Sequence, residues 1–183
     1  MLMELLDKKM WSVHWELKPE DFLTVPEVRR LRNSLRRKAV NSKSLSRIRG
    51  LEYMIIEVGL QTGLRVKELS ELQCGDIVLN GNMSFVRVRN GKGGIPGIVR
   101  IGKELVEILK WFFEWKKSVN ENINGECPLF VSSHTGRALK KRAIQNLFKR
   151  CCKRAGISRS VHVHMLRHTY ASILYSKSGH NLR

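Results

Sequence analysis

The chain has 183 residues, 42% of them hydrophobic, which suits one globular domain with a sizeable core. Lys and Arg number 34 against 16 Asp and Glu, a net charge of +18, which points to a polyanionic partner. The basic residues are spread over ordinary helices and no apolar run reaches the ~20 residues of a bilayer span, so nucleic acid is favoured over a membrane surface.

The N-terminus, "MLMELLDKKMWSVHWEL", lacks a signal-peptide pattern. Cys74, Cys127, Cys151 and Cys152 form no C-x-x-C pair and read as reduced thiols of a cytoplasmic protein. "TVPEVRRLRNSLRRKAV" begins with Thr24 and carries Glu27 three residues on, the pattern of a capping box. Val28, Leu31 and Leu35 follow at helical spacing. Arg29, Arg30, Arg32, Arg36, Arg37 and Lys38 cover the other faces, either as a solvated basic surface or as a phosphate-facing one. "NSKSLSRIRG" (41–50) reads as a connection. "LEYMIIEVGLQTG" is a strongly apolar helix with Leu51, Met54, Ile55 and Val58 on one stripe, and Gly63 is its natural stop. "LRVKELSELQ" restarts a helix at once, with Arg65 at its start, where free N–H groups favour an anion.

The period then changes. Met83–Asn90 alternates, with Phe85, Arg87 and Arg89 on one face and Val86 and Val88 on the other. "NGKGG" is a glycine-rich turn and "GIVRI" a second extended run, predicting an antiparallel hairpin with Lys92 at its tip. "KELVEILKWFFEWKKSV" is a helix with Leu105, Ile108, Leu109, Phe112 and Trp115 inward, as core rather than as a base-stacking platform. "LFVSS" (129–133) reads as a short strand. "KKRAIQNLFKRCCKRAG" is a basic helix with Ile144, Leu147, Phe148 and Cys151 as its core stripe and Gly156 as its end. Lys140, Lys141 and Arg142 at its start are candidate DNA contacts. "SVHVH" (160–164) is expected to be extended. A last helix should bury Leu166, Tyr170, Ile173 and Leu174, with Gly179 as its stop. The fold class is mainly α with a small antiparallel β-sheet.

His164 and His168 are i,i+4 and His162 adds a third imidazole, yet no Glu stands between them as H-E-x-x-H zinc sites require. Arg65 and Arg167 are placed to hold phosphate oxygens, and Lys92 to neutralise or protonate one.

In order along the chain, "TGLRVKEL" (62–69), "GKGG" (91–94), "CPLFVSSHTGRALKKRAIQNLFKRCCKRAGI" and "HMLRHTYA" (164–171) closely resemble the catalytic domain of tyrosine recombinases, the phage-integrase and Xer-like family. The likeness covers roughly residues 20–183. It implies catalytic roles for Arg65, Lys92, His164 and Arg167. It also implies site-specific recombination or integration through a phosphotyrosine intermediate, without cofactor, ATP or metal. The implied partner is double-stranded DNA in a nucleoid-associated setting, with a homo-oligomer, a tetramer, left open and no membrane involved.

Three departures shape the expectation. Too few residues precede the matching region for the family's N-terminal clamp. "IPGIVRI" replaces the basic residues usual after the hairpin lysine. The family's later histidine and nucleophilic tyrosine are not matched by "SGHNLR", and Tyr170 lies on an apolar stripe. Residues 1–18 are therefore read as an arm or linker. Residues 19–183 are read as a catalytic-domain fragment lacking its nucleophile, inactive alone in cleavage. The alternatives are a non-catalytic DNA-binding protein or regulator on the same scaffold, and type IB topoisomerase chemistry, which "TGLRVKEL" disfavours.

Overall fold

The computed structural model describes residues 18–40 and 47–178. The N-terminal arm, the start of the 41–50 connection, Gly179 and His180 lie outside the described residues.

Helix α1 (Val25–Val40) starts as its sequence predicts. The Thr24 backbone N–H donates to Glu27 Oε2 (2.8 Å), and the Glu27 N–H reaches back to Thr24 Oγ1 (3.4 Å). Leu31 and Leu35 are buried. Arg32 turns inward, forking onto both oxygens of Glu57 (2.7 and 2.8 Å) and touching Glu104. One arginine of the basic run is thus neutralised by the core.

Helix α2 (Arg47–Thr62) is the hub, packed by α1, α4 (Lys103–Ser118), α5 (Lys141–Arg154) and α6 (His164–Lys177). It corrects the sequence reading twice. First, Arg47–Gly50 is helical rather than connecting chain. Gly50 does not break the helix, because it is the place where Trp115 lies against the backbone: an added Cβ would sit 2.6 Å from Trp115 Cε2. Second, α2 is buried on all sides from Gly50 to Leu60 and has no single stripe. That position forces two carboxylates, Glu52 and Glu57, inside, each held by arginine: Arg154 for Glu52 and Arg32 for Glu57.

Short α3 (Val66–Glu71) follows, then a three-stranded antiparallel sheet in the order β1 (Ile77–Val78), β2 (Phe85–Val88), β3 (Gly97–Arg100). Val86 pairs with Ile77 on one side and Val99 on the other. The predicted hairpin is present, and β1 is an addition too short to show a period. Val86 and Val88 face inward, while Arg87 and Arg89 are exposed. Arg89 donates to Asp76 Oδ1 at 2.9 Å.

Helix α4 buries Leu105, Leu109, Phe112 and Trp115, with Phe112 and Trp115 stacked 5.1 Å apart, so these aromatics are core. "LFVSS" forms no strand. It makes one single bridge, Val131–Ala138, with a second, Gln73–Pro128, just before it, while Leu129 and Phe130 are buried. Its apolar residues serve the core without a neighbouring ladder long enough to extend. Helix α5 buries Ile144, Leu147, Phe148, Cys151 and Cys152, and Gly156 closes it at φ +72°. Burial pushes both thiols up to about 12, so these cysteines stay protonated.

Val163 already has helical dihedrals and His164 begins α6, and residues 160–162 form no strand, which corrects the expected extended run. Leu166 is buried, but Ile173 and Leu174 are exposed, which corrects the expected stripe in the second half of α6. The contacts of α6 with α2 that shape the site, at Leu166 and Tyr170, lie in its first half.

Candidate phosphate and nucleic-acid site

The corner between α2 and α3 sets the site. Gly63 takes φ +62°, a left-handed turn that ends α2 and releases the chain toward α3. Arg65 is the N-cap of α3, with extended dihedrals. Both its backbone and its side chain are gripped by one carboxylate. The Arg65 N–H donates to Glu68 Oε2 (2.6 Å) and Nη1 to Glu68 Oε1 (2.9 Å). Glu68 is buried, whereas the Arg65 side chain keeps 37% exposure. The brace thus fixes the guanidinium at its base and leaves donors free for a ligand.

Helix α6 meets this corner at two glycines. A Cβ on Gly59 would lie 2.7 Å from Leu166 Cδ1, and one on Gly63 would lie 2.3 Å from Tyr170 Cδ1. The absence of side chains lets the helices approach closely enough for Arg167 Nη1 to donate to the Gly63 carbonyl at 2.6 Å. Thr169 secures the same helix from behind: its hydroxyl donates to the Met165 carbonyl and accepts from the Leu23 N–H (2.9 Å). Arg167 is therefore tied to a backbone atom two residues from Arg65.

His164 stands exposed at the start of α6, edge-on to His168 with ring centroids 5.9 Å apart. Partial burial pushes its pKa below the ordinary value, and the positive charge of His168, His162, Arg167 and Arg65 adds to the push. The imidazole is accordingly neutral near pH 7 and can accept a proton. Beside it opens a cleft of about 350 Å³, walled by Val66, His162, Val163 and one face of α5. That face carries Arg142, Gln145, Asn146 and Lys149 at helical spacing, and no carboxylate lines the cleft.

The structure brings together Arg65, His164 and Arg167, with Arg142 on the far wall of the cleft. Lys140 and Lys141 are exposed at the start of α5. Lys92 occupies the turn Lys92–Gly94 at the tip of the β2–β3 hairpin, closed by the Gly91 N–H donating to the Ile95 carbonyl (3.0 Å). The near end of that hairpin, Arg89 and Asn90, shares a cavity with Glu68, the residue that braces Arg65. Sequence reasoning passed over Glu68, although its i+3 spacing from Arg65 was readable. It also passed over Gln145, Asn146 and Lys149, which share Arg142's face. Among the described residues, no cluster of three or more His, Cys, Asp or Glu could hold a metal ion.

The three tyrosines are placed differently. Tyr53 is buried in α2, edge-on to Trp111 (5.9 Å). Tyr170 lays its ring on Gly63. Tyr175 is on the exposed last turns of α6.

A model of the phage integrase family matches residues 21–183. Tyrosine recombinase XerD of Staphylococcus saprophyticus is 32% identical over 151 residues, covering 79% of this chain and 48% of the relative. Tyrosine recombinase XerC of Xanthomonas axonopodis pv. citri is 31% identical over 125 residues, covering 68% and 38%. Among solved structures, the XerA recombinase superposes with a TM-score of 0.67 at 29% identity, over 85% of this chain and 50% of that one. The XerH recombinase bound to its difH substrate gives 0.68 at 23% identity, over 87% and 44%, a likeness of fold. The chain spans about half, or less, of the length of these relatives. No described helix is long and apolar enough to cross a membrane.

Proposed function

The chain belongs to the phage integrase family, and we propose that it forms the phosphate-holding part of a site-specific DNA recombinase or integrase. The reading rests on one observation above all: Arg65 and Arg167 converge on the Gly63 turn, with a neutral histidine beside them. In this reading the two arginines bind the non-bridging oxygens of a DNA phosphodiester, where charge grows in the transition state. A tyrosine hydroxyl attacks phosphorus and gives up its proton with the help of His164. The phosphotyrosine ester forms, the bond to the 5′-oxygen breaks, and Lys92 protonates that oxygen. Attack by a 5′-hydroxyl reverses the sequence, so no external energy source is consumed.

DNA is the proposed partner, supported by the charge of +18 and by the carboxylate-free cleft. Arg142, Lys140 and Lys141 would contact its backbone, and the active assembly would be a homo-oligomer on DNA. Residues 19–183 would constitute a catalytic-domain fragment lacking its nucleophile and residues 1–18 an arm or linker, in the cytoplasm at the nucleoid. None of Tyr53, Tyr170 or Tyr175 is the proposed nucleophile: the first is buried, the second is packed on Gly63, and the third lies eight residues beyond Arg167 on the same helix, about 12 Å along its axis. The attacking tyrosine then comes from outside this sequence.

A nicked duplex that traps covalent intermediates tests the reading. Residues 1–183 should bind DNA with steep salt dependence and form no adduct. A protein carrying an added downstream tyrosine segment should form one that Arg65→Ala abolishes. An adduct from residues 1–183 that Tyr170→Phe removes would overturn the assignment of Tyr170 to the scaffold. Binding without adduct in every extended form would favour the second reading, a DNA-binding regulator.

A further inference from the structure

We propose that a second phosphodiester-binding surface lies between α1 and the C-terminal end of α5, holding duplex DNA outside the segment gripped at Arg65 and Arg167. A groove of about 640 Å³ runs there, lined by Arg30, Asn33, Ser34, Arg36, Arg37 and Arg154, with Ala155 beside them.

The two flanks of α1 differ in charge balance. On the flank toward α2 and α4, Arg32 is matched by Glu57 and Glu104, and both carboxylates line that side, which Asn33 and Arg36 also border. On the α5 flank no carboxylate lines the groove. Arg154 is anchored to buried Glu52, so its charge is offset from beneath. Arg30, Arg36 and Arg37 have no ion-pair partner among the described residues. Among the described residues, the positive charge of Arg30 and Arg37 is therefore offset by no carboxylate, and Arg36 lies between the two flanks.

The groove chemistry selects the ligand. Arg30 and Arg37 are two turns apart on α1, about 10 Å. Guanidinium forks suit phosphate oxygens, and Asn33 and Ser34 add the neutral donors common in backbone contacts. A duplex presents one negative charge per ~1.7 Å of axis, enough to engage all three arginines at once. Ala155 is the sole apolar lining residue. A membrane would need an apolar face to insert, and a protein partner an apolar or aromatic centre.

The surface is distinct from the cleft. Both touch α5, but Arg142 and Arg154 are twelve residues apart, about 18 Å along the axis and a third of a turn round it. The proposal extends the DNA-binding reading and needs neither nucleophile nor cleavage.

The test uses the full chain and random-sequence duplexes over a range of salt. Arg30→Gln/Arg36→Gln/Arg37→Gln alters exposed side chains, so its melting temperature should match the parent. Its slope of log affinity against log salt should fall by about 3, at ~0.9 for each phosphate no longer neutralised. The cleft variant Arg65→Ala/Arg142→Ala should retain salt-dependent binding, and combining both sets should abolish it. Sedimentation with short duplexes separates the sources: two duplexes per chain indicate a second DNA, and one indicates the same duplex running on. An unchanged slope in the triple variant overturns the proposal while leaving the cleft reading intact. So does loss of all binding in the cleft variant alone. Failure of the parent to bind DNA overturns both readings. Binding of the groove to anionic phospholipid vesicles in place of DNA overturns this one.

Discussion

Gly63→Ala is the sharpest probe of how the two arginines are brought together. The substitution meets two penalties. At φ +62° an alanine occupies the left-handed region, at about 1–2 kcal/mol. Its Cβ would also stand 2.3 Å from Tyr170 Cδ1, an overlap that must be relieved by moving the ring or α6, at about 1–3 kcal/mol. The sum, about 3 kcal/mol, corresponds to a fall in melting temperature of roughly 6–12 °C for a domain of this size. Thermal denaturation followed by circular dichroism measures it. The double variant Gly63→Ala/Tyr170→Ala isolates the steric part. Removing the ring should make the combined loss smaller than the sum of the singles by about 1–3 kcal/mol. Strict additivity, or a Gly63→Ala melting temperature within a degree of the parent, would refute the claim that Tyr170 is a packing residue seated on the glycine.

Arg159 donates to both oxygens of Glu27 (2.8 and 2.9 Å) and holds its carboxyl down at about 2, against an ordinary 4.5. A depressed carboxylate stabilises the fold fully above its unfolded pKa, so stability should be lost as pH falls from about 4.5 toward 2. Glu27→Gln should flatten that part of the melting-temperature profile, and an identical acid limb in the variant would contradict the assignment. His164 should titrate below its ordinary value in the free protein and move upward when a short duplex supplies phosphate beside it; ring-proton NMR reads both, and a downward move on binding would remove His164 from the cleft. Lys116, fully buried, donates to Glu121 Oε2 (2.7 Å) and to the Leu129 carbonyl (3.2 Å). Glu121→Gln, which strands the buried ammonium, should cost about 3 kcal/mol, and Lys116→Met less. Urea denaturation gives the order, and the reverse order would show that the ion pair is not what holds the 119–129 loop.

The parts of the fold legible in the sequence are those with a strong local period. The alternation through Phe85–Val88 and the stripes of α4 and α5 come from side chains whose burial is set by their own element. What was not legible depends on partners far along the chain. Gly50 reads as a break because the residue that needs its bareness, Trp115, is on another helix. Arg32 belongs to a run of exposed arginines by pattern, yet among the described residues it is the one of that run that pairs with Glu57 and Glu104. Ile173 and Leu174 continue an apolar period but are 38% and 40% exposed, so the pattern outlasts full burial. The chemistry followed the same division. Arg65, Arg142, His164 and Arg167 were readable as residue types in distinctive surroundings. The brace at Glu68 required knowing that one carboxylate could reach both the backbone and the side chain of Arg65.

"TGLR" and "HMLRHTY" look like two motifs, each with its own charged residue. In three dimensions they are one object. Gly59 and Gly63 give α6 its closest approach to α2, Leu166 and Tyr170 fill the space the missing side chains leave, and the Gly63 carbonyl holds Arg167. The approach of the two arginines is therefore set by uncharged residues at the Arg167 end and by the Glu68 brace at the Arg65 end. Tyr170, which has the chemistry of a nucleophile, does the work of a spacer, and Gly63, which has no side chain, holds Arg167 near Arg65. If the proposed phosphate site is right, a larger residue at either glycine should disturb it without touching a charge. Loss of function at such a position carries no information about catalysis until the spacing of Arg65 and Arg167 has been checked.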